Sequence, residues 1–163
     1  MTQKKICTLG TSAVGKSSLV ARFVKGIFSD QYLTTIGVKI DKKTVTARGQ
    51  KVDLLIWDLN GEDRFQKLSM NYLRGTAGYL LVIDGTRRST MDAAIALHHK
   101  AQATIGDVPF VVLINKADIS SEWEVREDEI AEMRARGWNI QHTSARTGAG
   151  VEKAFIDLAH KLV

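Results

Sequence analysis

Eight residues near the N-terminus have the types and the spacing of a phosphate-binding loop. Residues 10–17 read GTSAVGKS, which matches the pattern G-x-x-x-x-G-K-[ST]. The glycines permit a compact turn whose backbone N–H groups face inward and bind anions. Lys16 adds a positive charge for the β- and γ-phosphates, and the Ser17 hydroxyl can bind Mg²⁺. The stretch therefore predicts binding of a nucleotide phosphate together with magnesium.

The residues on either side of this loop supply the context that the pattern requires. Residues 4–9 (KKICTL) form an apolar run that is typical of a buried strand. In residues 16–25 the apolar side chains recur at helical spacing, so a helix that begins within the loop is expected, and its N-terminus favours anions. A glycine-rich turn without a ligand is the alternative for this stretch taken alone.

Strands and helices alternate along the rest of the chain. A long loop at 26–37 leads into a hairpin, whose strands at 38–47 and 52–57 join around 48–50. Further strands are predicted at 79–83, 110–114 and 138–142, and helices at 65–74, 91–105, about 125–136 and from 151 onward. The alternation predicts an α/β fold: a six-stranded, mostly parallel sheet with one antiparallel edge strand and helices on both faces.

Polar clusters follow the first, third, fifth and sixth predicted strands. They are the loop at 10–17, DLNG at 58–61, NKAD at 115–118 and TSA at 143–145. Ligands of such sheets bind beyond the carboxyl ends of the strands, so the four clusters are expected to form one site.

Composition limits the classes of protein to which the chain can belong. The length predicts a single domain over 1–163, and the lone cysteine excludes an internal disulfide framework and suits a reducing compartment. The net charge is +5, but no motif of a nucleic-acid-binding module occurs, so no nucleic-acid partner is expected. No apolar run reaches the length of a membrane span, and no C-terminal prenylation signal is present. We therefore predict a monomeric cytoplasmic protein with no direct membrane anchor in this sequence; the alternative is that a tail lies outside it.

The order of the four clusters resembles that of the Ras superfamily of small GTPases, over essentially the whole chain. Within that superfamily the Rab branch is the most similar, through TTIGV at 34–38, WDxxG at 57–61, RF at 64–65, LRG at 73–75 and LVxD at 81–84. The resemblance implies a Ras-like G domain of the P-loop NTPase class, which binds GTP or GDP with Mg²⁺ and hydrolyses GTP to GDP and phosphate.

Guanine recognition is the most specific implication of this resemblance. The Asp118 carboxylate would accept hydrogen bonds from the guanine N1–H and 2-amino groups, which adenine does not offer in that arrangement. Asn115 would tie its loop to the phosphate loop, Lys116 would cover one face of the base, and the Ala145 N–H would meet the guanine O6. Phe28 would pack edge-on against the base. The implied nucleotide-binding residues are Ser12, Ala13, Val14, Gly15, Lys16, Ser17, Ser18, Phe28, Thr35, Gly61, Asn115, Lys116, Asp118, Ser144, Ala145 and Arg146.

The resemblance also implies a switch that senses the γ-phosphate. Ser17, Thr35 and Asp58 would hold Mg²⁺, and the Gly61 N–H would contact the γ-phosphate. Because these contacts require the triphosphate, hydrolysis would release both loops. Effectors and regulators are expected at the switch regions around 30–40 and 58–74, where Ile36, Trp57, Phe65 and Tyr72 resemble a partner-binding surface. The implied catalytic residues are Glu62, Thr35, Lys16 and Gly61.

Glu62 departs from the family pattern, in which glutamine follows DxxG. A carboxylate can accept a hydrogen bond from the attacking water, but it cannot donate one to the transferring phosphoryl group, and its charge repels the γ-phosphate. We therefore predict a slow intrinsic GTPase. The alternative is a guanine-nucleotide-binding scaffold that barely hydrolyses, which a single-turnover assay would separate from a GTPase. A third interpretation, an ATP-using P-loop enzyme, is disfavoured by Asp118.

Two pairs of residues outside the clusters are predicted to be structural. His98 and His99 lack the i, i+4 spacing of paired metal ligands, so both are predicted to be surface histidines. Trp123 and Trp138 flank an acidic segment and are predicted to pack against other side chains rather than to bind a cofactor.

Overall fold

A computed structural model of the chain describes residues 2–11, 13–25, 38–59 and 72–163. The predicted loop at 26–37 and most of the predicted helix at 65–74 lie outside these residues. The predicted site residues Ser12, Phe28, Thr35, Gly61 and Glu62 also lie outside them, as do the predicted partner-binding residues Ile36 and Phe65.

Six strands form one sheet within the described part of the chain. In chain order they are β1 (Thr2–Leu9), β2 (Val38–Ala47), β3 (Gln50–Leu59), β4 (Gly78–Asp84), β5 (Phe110–Asn115) and β6 (Ile140–His142). Across the sheet they lie in the order β2-β3-β1-β4-β5-β6. Neighbouring strands pair in parallel except for β2 and β3, which are antiparallel and place β2 at one edge. The predicted sheet, with its single antiparallel edge strand, is confirmed.

Helices cover both faces of this sheet, as the alternation predicted. They are α1 (Lys16–Lys25), α2 (Ser89–Ile105), a 3-10 helix at Ala117–Glu122, α3 (Glu127–Ala135) and α4 (Val151–Lys161). The apolar residues of α1 and α4 belong to the core on one face, and those of α2 and α3 to the core on the other. Because β4 lies between the two layers, it is buried along its whole length. None of these described helices is long and apolar enough to cross a membrane.

A pair of stacked aromatic rings joins α1 to α4. Phe23 and Phe155 are both buried, and their ring centroids are 4.1 Å apart. The Lys43 ammonium of β2 lies over the Phe23 ring and donates to the Phe23 carbonyl at 2.5 Å. Burying an aromatic side chain of this size contributes about 2–3 kcal/mol to stability. The helix that follows the phosphate-binding loop is therefore held against the sheet and against α4.

The opposite face contains a buried histidine that was predicted to lie on the surface. His98 is 3% exposed, and its Nδ1 lies 2.8 Å from the Tyr79 hydroxyl. The prediction is wrong for His98 because its position continues the buried stripe of α2, between Ala94 and Ala101. Burial lowers the pKa of His98, since the charged form loses its hydration. His99 is exposed, as predicted.

The hairpin between β2 and β3 is tighter than the sequence predicted. Gln50 already pairs with Ala47, so the turn contains only Arg48 and Gly49. Both turn residues have positive φ, 51° and 78° respectively. This is the two-residue geometry whose twist matches that of the strands it connects.

Other boundaries differ from the prediction by a few residues. Residues 72–75 form a turn, in which Thr76 N–H donates to Leu73 O at 3.0 Å, whereas the sequence predicted the end of a helix there. The sixth strand begins at Ile140 rather than at 138. The 3-10 helix at Ala117–Glu122 was not predicted, because a polar run of that length gives no periodic signal.

Candidate nucleotide-binding site

The predicted site residues that the structure describes lie at one edge of the sheet. Parallel pairing places Thr8 of β1 beside Asp58 of β3, and Asp84 of β4 beside Asn115 of β5. The loops that follow β1, β5 and β6 leave the sheet at this edge, where the carboxyl ends of parallel strands meet. Apart from positions 12, 60 and 61, which lie outside the described residues, the four polar clusters of the sequence come together.

Gly15 brings the loop at 10–17 into direct contact with β5. Its φ is +102°, a conformation that residues with a side chain rarely adopt. A Cβ atom at this position would lie 2.3 Å from Asn115 Nδ2. The Gly15 carbonyl also accepts from Leu19 N–H at 2.9 Å, in the first turn of α1. Only glycine permits both the turn and the contact, which is the physical reason for the second glycine of the motif.

Lys16 lies inside the phosphate-binding loop. The residue is 8% exposed, and its ammonium donates to the carbonyl oxygens of Gly10 at 2.7 Å and Thr11 at 3.1 Å. A buried ammonium needs such acceptors, because an unsatisfied charge in the interior is costly. The loop therefore holds a positive charge at the N-terminus of α1, where the helix dipole also favours an anion.

Ser17 and Asp58 face each other across the start of α1 and the end of β3. The Ser17 hydroxyl donates to Asp58 Oδ2, and Thr8 Oγ1 donates to Asp58 Oδ1 at 3.2 Å. Both Thr8 and Asp58 are buried. A hydroxyl and a carboxylate are hard oxygen donors of the kind that Mg²⁺ prefers, so the pair fits this metal. Phosphate oxygens and water usually complete the coordination of Mg²⁺ at nucleotide sites.

Asn115 joins the loop after β5 to the loops after β1 and β6. Its buried side chain donates from Nδ2 to the Val14 carbonyl at 3.0 Å, which is the contact predicted for it. Its Oδ1 accepts from the Ala145 N–H and from Thr143 Oγ1, both at 3.3 Å. The Ala145 N–H, predicted to meet the guanine O6, is thus engaged with Asn115. Leaving a buried polar group of such a network unsatisfied costs about 1–3 kcal/mol.

Asp118 is the exposed carboxylate of this arrangement. Ser144 Oγ donates to Asp118 Oδ1 at 2.8 Å and accepts from the Thr147 N–H at 3.1 Å. Ser144 is fully buried, whereas Asp118 is open to solvent. Because the backbone of Thr147 fixes the serine hydroxyl, that hydroxyl orients the carboxylate. Arg146 is exposed and lies close to this pair in the chain.

Sequence reasoning missed the role of Asp84, which contacts a predicted base-binding residue. Asp84 is fully buried at the end of β4, and its Oδ2 accepts from Lys116 Nζ at 2.8 Å and from Arg87 Nε at 3.0 Å. Its Oδ1 accepts from the N–H and the hydroxyl of Thr86. Burial raises the pKa of Asp84, but the hydrogen bonds from Lys116, Thr86 and Arg87 outweigh it and hold that pKa below its ordinary value. A carboxylate that ends an otherwise apolar strand was the available signal.

Trp123 supports the backbone of Lys116. Lys116 has a left-handed backbone, with φ 72° and ψ 38°. Trp123 Nε1 donates to the Lys116 carbonyl at 2.9 Å. The indole ring lies against Gly85, where a Cβ atom would come within 2.3 Å of it, and stands edge-on to His142 at a centroid distance of 5.1 Å. Trp123 therefore packs, as predicted, and it also fixes a residue of the candidate site, which was not predicted.

Exposed apolar side chains lie at the ends of the two predicted switch regions. Ile40 is 51% exposed and Tyr72 is 42% exposed. The Tyr72 ring lies 6.0 Å from that of Trp57, which is half-buried beneath the Lys5 ammonium. Lys5 Nζ also donates to the Tyr72 carbonyl and to the Arg74 carbonyl, the latter at 2.7 Å. The end of the second predicted switch region is therefore tied to β1.

The fold and the loop geometry define an α/β domain of the P-loop class, and comparison with known proteins identifies its family. The Ras family model matches residues 5–163. The chain is 38% identical to Ras-related protein Rab-37 of Mus musculus, over 97% of this chain and 72% of that protein. It is 35% identical to Ras-related protein RabJ of Dictyostelium discoideum, over 99% of this chain and 64% of that protein. The chain belongs to the Ras family of small GTPases, and the predicted similarity to Rab proteins is confirmed. It spans just under two thirds of the length of RabJ.

Proposed function

We propose that this chain is a guanine-nucleotide switch, which binds GTP or GDP with Mg²⁺ and hydrolyses GTP to GDP and phosphate at a low intrinsic rate. The observation that supports this most strongly is the position of Asn115. Its single amide group contacts the phosphate-binding loop at Val14 and the last loop of the site at Ala145, so the two halves of a nucleotide site are held in a fixed relation. Membership of the Ras family supports the same function.

Asp118 would select guanine. Its carboxylate is exposed and is oriented by Ser144, and guanine offers two donors, the N1–H and the 2-amino group, on one edge. Adenine presents a different set of groups, so the carboxylate would lose its hydration without gaining donors in return. Lys116 would lie along one face of the base, Phe28 would pack edge-on against it, and Arg146 would flank the same loop.

Lys16 and the backbone N–H groups of residues 12–18 would bind the phosphates. The Lys16 ammonium, which donates to two loop carbonyls, would turn to the β- and γ-phosphate oxygens, since charged acceptors form stronger hydrogen bonds than neutral ones. Ser17, Asp58 and Thr35 would hold Mg²⁺, which when bound neutralises charge on the phosphates. Gly61 would donate its N–H to the γ-phosphate.

Glu62 would limit the rate of hydrolysis. It can orient an attacking water as an acceptor, but it offers no donor to the transferring phosphoryl group and adds a negative charge beside it. A longer-lived GTP state follows from this difference.

Single-turnover hydrolysis of preloaded GTP tests the proposal. We expect slow but measurable turnover by the wild-type chain and roughly tenfold faster turnover by Glu62→Gln, which restores a donor and removes the charge. Glu122→Gln, at an exposed position of the 3-10 helix, is the matched control and should leave the rate unchanged. Equal or slower turnover by Glu62→Gln would contradict the role given to Glu62. Failure of the wild-type chain to bind guanine nucleotide would overturn the function itself.

A second function is a guanine-nucleotide-binding scaffold with little or no hydrolysis. Glu62 is the observation that favours it, because the same carboxylate that slows a GTPase could also abolish the activity. Tight GTP binding without turnover, in the wild-type chain and with candidate activating proteins, would select the scaffold over the enzyme. In both cases effectors and regulators would bind around 30–40 and 58–74, where Ile40 and Tyr72 present apolar surface.

A further inference from the structure

Lys116 is contacted by two residues from outside its own loop. Asp84, at the end of β4, accepts from the Lys116 ammonium, and Trp123, after the 3-10 helix, donates to the Lys116 carbonyl. One contact therefore fixes the end of a long side chain, and the other fixes its backbone. Neither residue belongs to the four polar clusters at 10–17, 58–61, 115–118 and 143–145.

We propose that Asp84 and Trp123 are positioning residues, which hold Lys116 over the guanine base and thereby set how long a nucleotide stays bound. The inference rests on the proposed function, in which the stem of Lys116 covers one face of the base. It adds to that function a pair of residues that control nucleotide release without touching the nucleotide.

The position of Asp84 suits this role. It pairs in register with Asn115, the residue before Lys116, so its carboxylate lies at the edge of the sheet beside the loop at 115–118. The methylene stem of Lys116 then runs between two fixed points, its own backbone and Asp84. Restricting a long side chain before the ligand arrives reduces the rotamer freedom that is lost on binding.

The buried carboxylate of Asp84 does not need the Lys116 ammonium to satisfy its hydrogen-bonding groups. Thr86 supplies two hydrogen bonds to Oδ1, and Arg87 supplies one to Oδ2, so Asp84 retains three donors without Lys116. Lys116, for its part, is partly exposed, and water could solvate its ammonium. Orientation of the lysine is the property that the ion pair adds.

Trp123 fixes the other end of Lys116. A left-handed backbone is unfavourable for a residue with a Cβ atom, so Lys116 needs support to remain in it. The indole N–H provides this support, and the segment that carries the indole is itself fixed, because the Gly85 carbonyl accepts from Glu124 N–H at 2.8 Å and from Val125 N–H at 3.1 Å. Gly85 directly follows Asp84, so the segment that carries Trp123 is fixed next to the residue that makes the other contact to Lys116.

The release rate of a fluorescent GDP analogue, measured in excess GDP and Mg²⁺, tests the proposal. We expect release to be about tenfold faster in Asp84→Asn, which keeps the size of the side chain but loses the charge-assisted bond to Lys116. Trp123→Phe, which keeps the ring but loses the indole N–H, should release about threefold faster. Arg87→Met is the matched control, because it removes another donor to Asp84 and leaves the Lys116 pair in place, and it should release at the wild-type rate.

A double-mutant cycle separates positioning from a general structural role. In a Lys116→Met background the stem over the base remains but the ammonium is absent, so Asp84→Asn should add no further acceleration. The acceleration by Asp84→Asn should also be equal for GDP and for IDP, which lacks the 2-amino group, because a contact to the face of the base does not sense its edge. If Asp84→Asn accelerates release equally with and without the Lys116 ammonium, or accelerates GDP alone, the proposal is wrong.

The experiment distinguishes failure of this inference from failure of the proposed function. If the wild-type chain binds no guanine nucleotide, the function is overturned and the inference with it. If the wild-type chain binds GDP and both Asp84→Asn and Trp123→Phe release it at the wild-type rate, only the inference is overturned. If Asp84→Asn does not fold, Trp123→Phe decides, with its melting temperature measured beside its release rate: faster release at unchanged melting temperature supports positioning, and unchanged release contradicts it.

Discussion

The site has a base half, around Lys116 and Asp118, and a phosphate half, around Lys16 and Ser17. The two halves differ in what their polar groups contact. In the base half, two groups that would meet the ligand are each held by a buried partner: Ser144 orients Asp118, and Asp84 holds Lys116. In the phosphate half, the ligand-binding groups contact one another. Lys16 donates to carbonyls of its own loop, and Ser17 donates to Asp58.

This difference separates two ways of preparing a site. The base half is arranged by the fold before any ligand arrives, so selectivity for guanine costs little rearrangement. The phosphate half exchanges internal hydrogen bonds for bonds to phosphate and Mg²⁺, so its occupancy is coupled to a change in the protein. Variants of exposed groups in the base half should therefore change affinity alone, whereas variants of the buried groups that hold them, or of residues where the halves meet, should also change stability.

The largest expected effect is that of Asp118→Asn, and it should be confined to affinity. The asparagine amide has only one accepting oxygen, and its NH₂ group would face one of the two guanine donors. GDP affinity should therefore fall by roughly 10³-fold in calorimetric titration. Because Asp118 is exposed, the urea midpoint of nucleotide-free protein should not change. Asp128→Asn, another exposed carboxylate, should alter neither quantity. A loss of stability in nucleotide-free Asp118→Asn would show that the base half is not arranged in advance.

Gly15→Ala should disturb the contact between the two halves. The added Cβ atom would overlap Asn115 Nδ2 at a backbone angle that alanine rarely adopts, so the free energy of unfolding in urea should fall by about 3 kcal/mol. Gly49→Ala is the control, because Gly49 also has positive φ but has no atom within 4 Å of its Cβ position. It should lose only about 1 kcal/mol, from backbone strain. Equal losses in the two variants would mean that Asn115 yields to the new methyl group.

The pH dependence of Asp84→Asn tests whether the base half is held by an ionised carboxylate. The pKa of Asp84 lies below its ordinary value of 3.8, so the stabilisation is fully present above that value and is lost as the pH falls through the lower pKa of the folded state. The difference in unfolding free energy between wild type and Asp84→Asn should be about 2 kcal/mol and constant from about pH 8 to about pH 5. Below about pH 4 it should shrink. A difference that disappears near neutral pH would assign the effect to another group.

Thr8→Val should have the smallest effect, in the phosphate half. It removes the hydrogen bond from Thr8 to Asp58 while Ser17 still contacts the same carboxylate. The Mg²⁺ concentration needed to slow GDP release should rise by roughly tenfold, as is usual when a group that orients a metal ligand is lost. Thr46→Val, at an exposed position of β2, should leave the Mg²⁺ dependence unchanged. An unchanged requirement in Thr8→Val would mean that Ser17 alone orients Asp58.

The fold was predictable because local patterns determine most of it. The apolar run at 79–83 is typical of a strand buried on both faces, and the turn signals around 48–50 favour a hairpin. The burial of His98 could not be predicted in this way. It depends on Tyr79 of β4, which lies beneath α2 and forms a hydrogen bond with the imidazole. Residue type favoured the surface, and tertiary packing placed the residue inside.

The residues of the candidate site that belong to a sequence motif were predictable. The residues of other elements that hold them in place were not. The contact of Asn115 with Val14 was predicted, because both belong to motifs of fixed spacing. The contacts of Asp84 and Trp123 with Lys116 join elements that are distant in the chain, and neither residue type marks a ligand site by itself. Such supporting residues become visible only when strand order brings β4 beside β5.

The buried thiol of Cys7 has a practical consequence. Cys7 lies in the central strand β1 with no exposed surface, and its Sγ is 3.1 Å from Thr76 Oγ1. Burial raises the pKa of the thiol to about 11, so very little of it is the reactive thiolate at neutral pH. Because this unreactive thiol is the single cysteine of the 163 residues, this chain needs no cysteine removal before site-specific labelling. A fluorophore on a cysteine introduced at exposed Lys51 would then report from one position in otherwise wild-type protein.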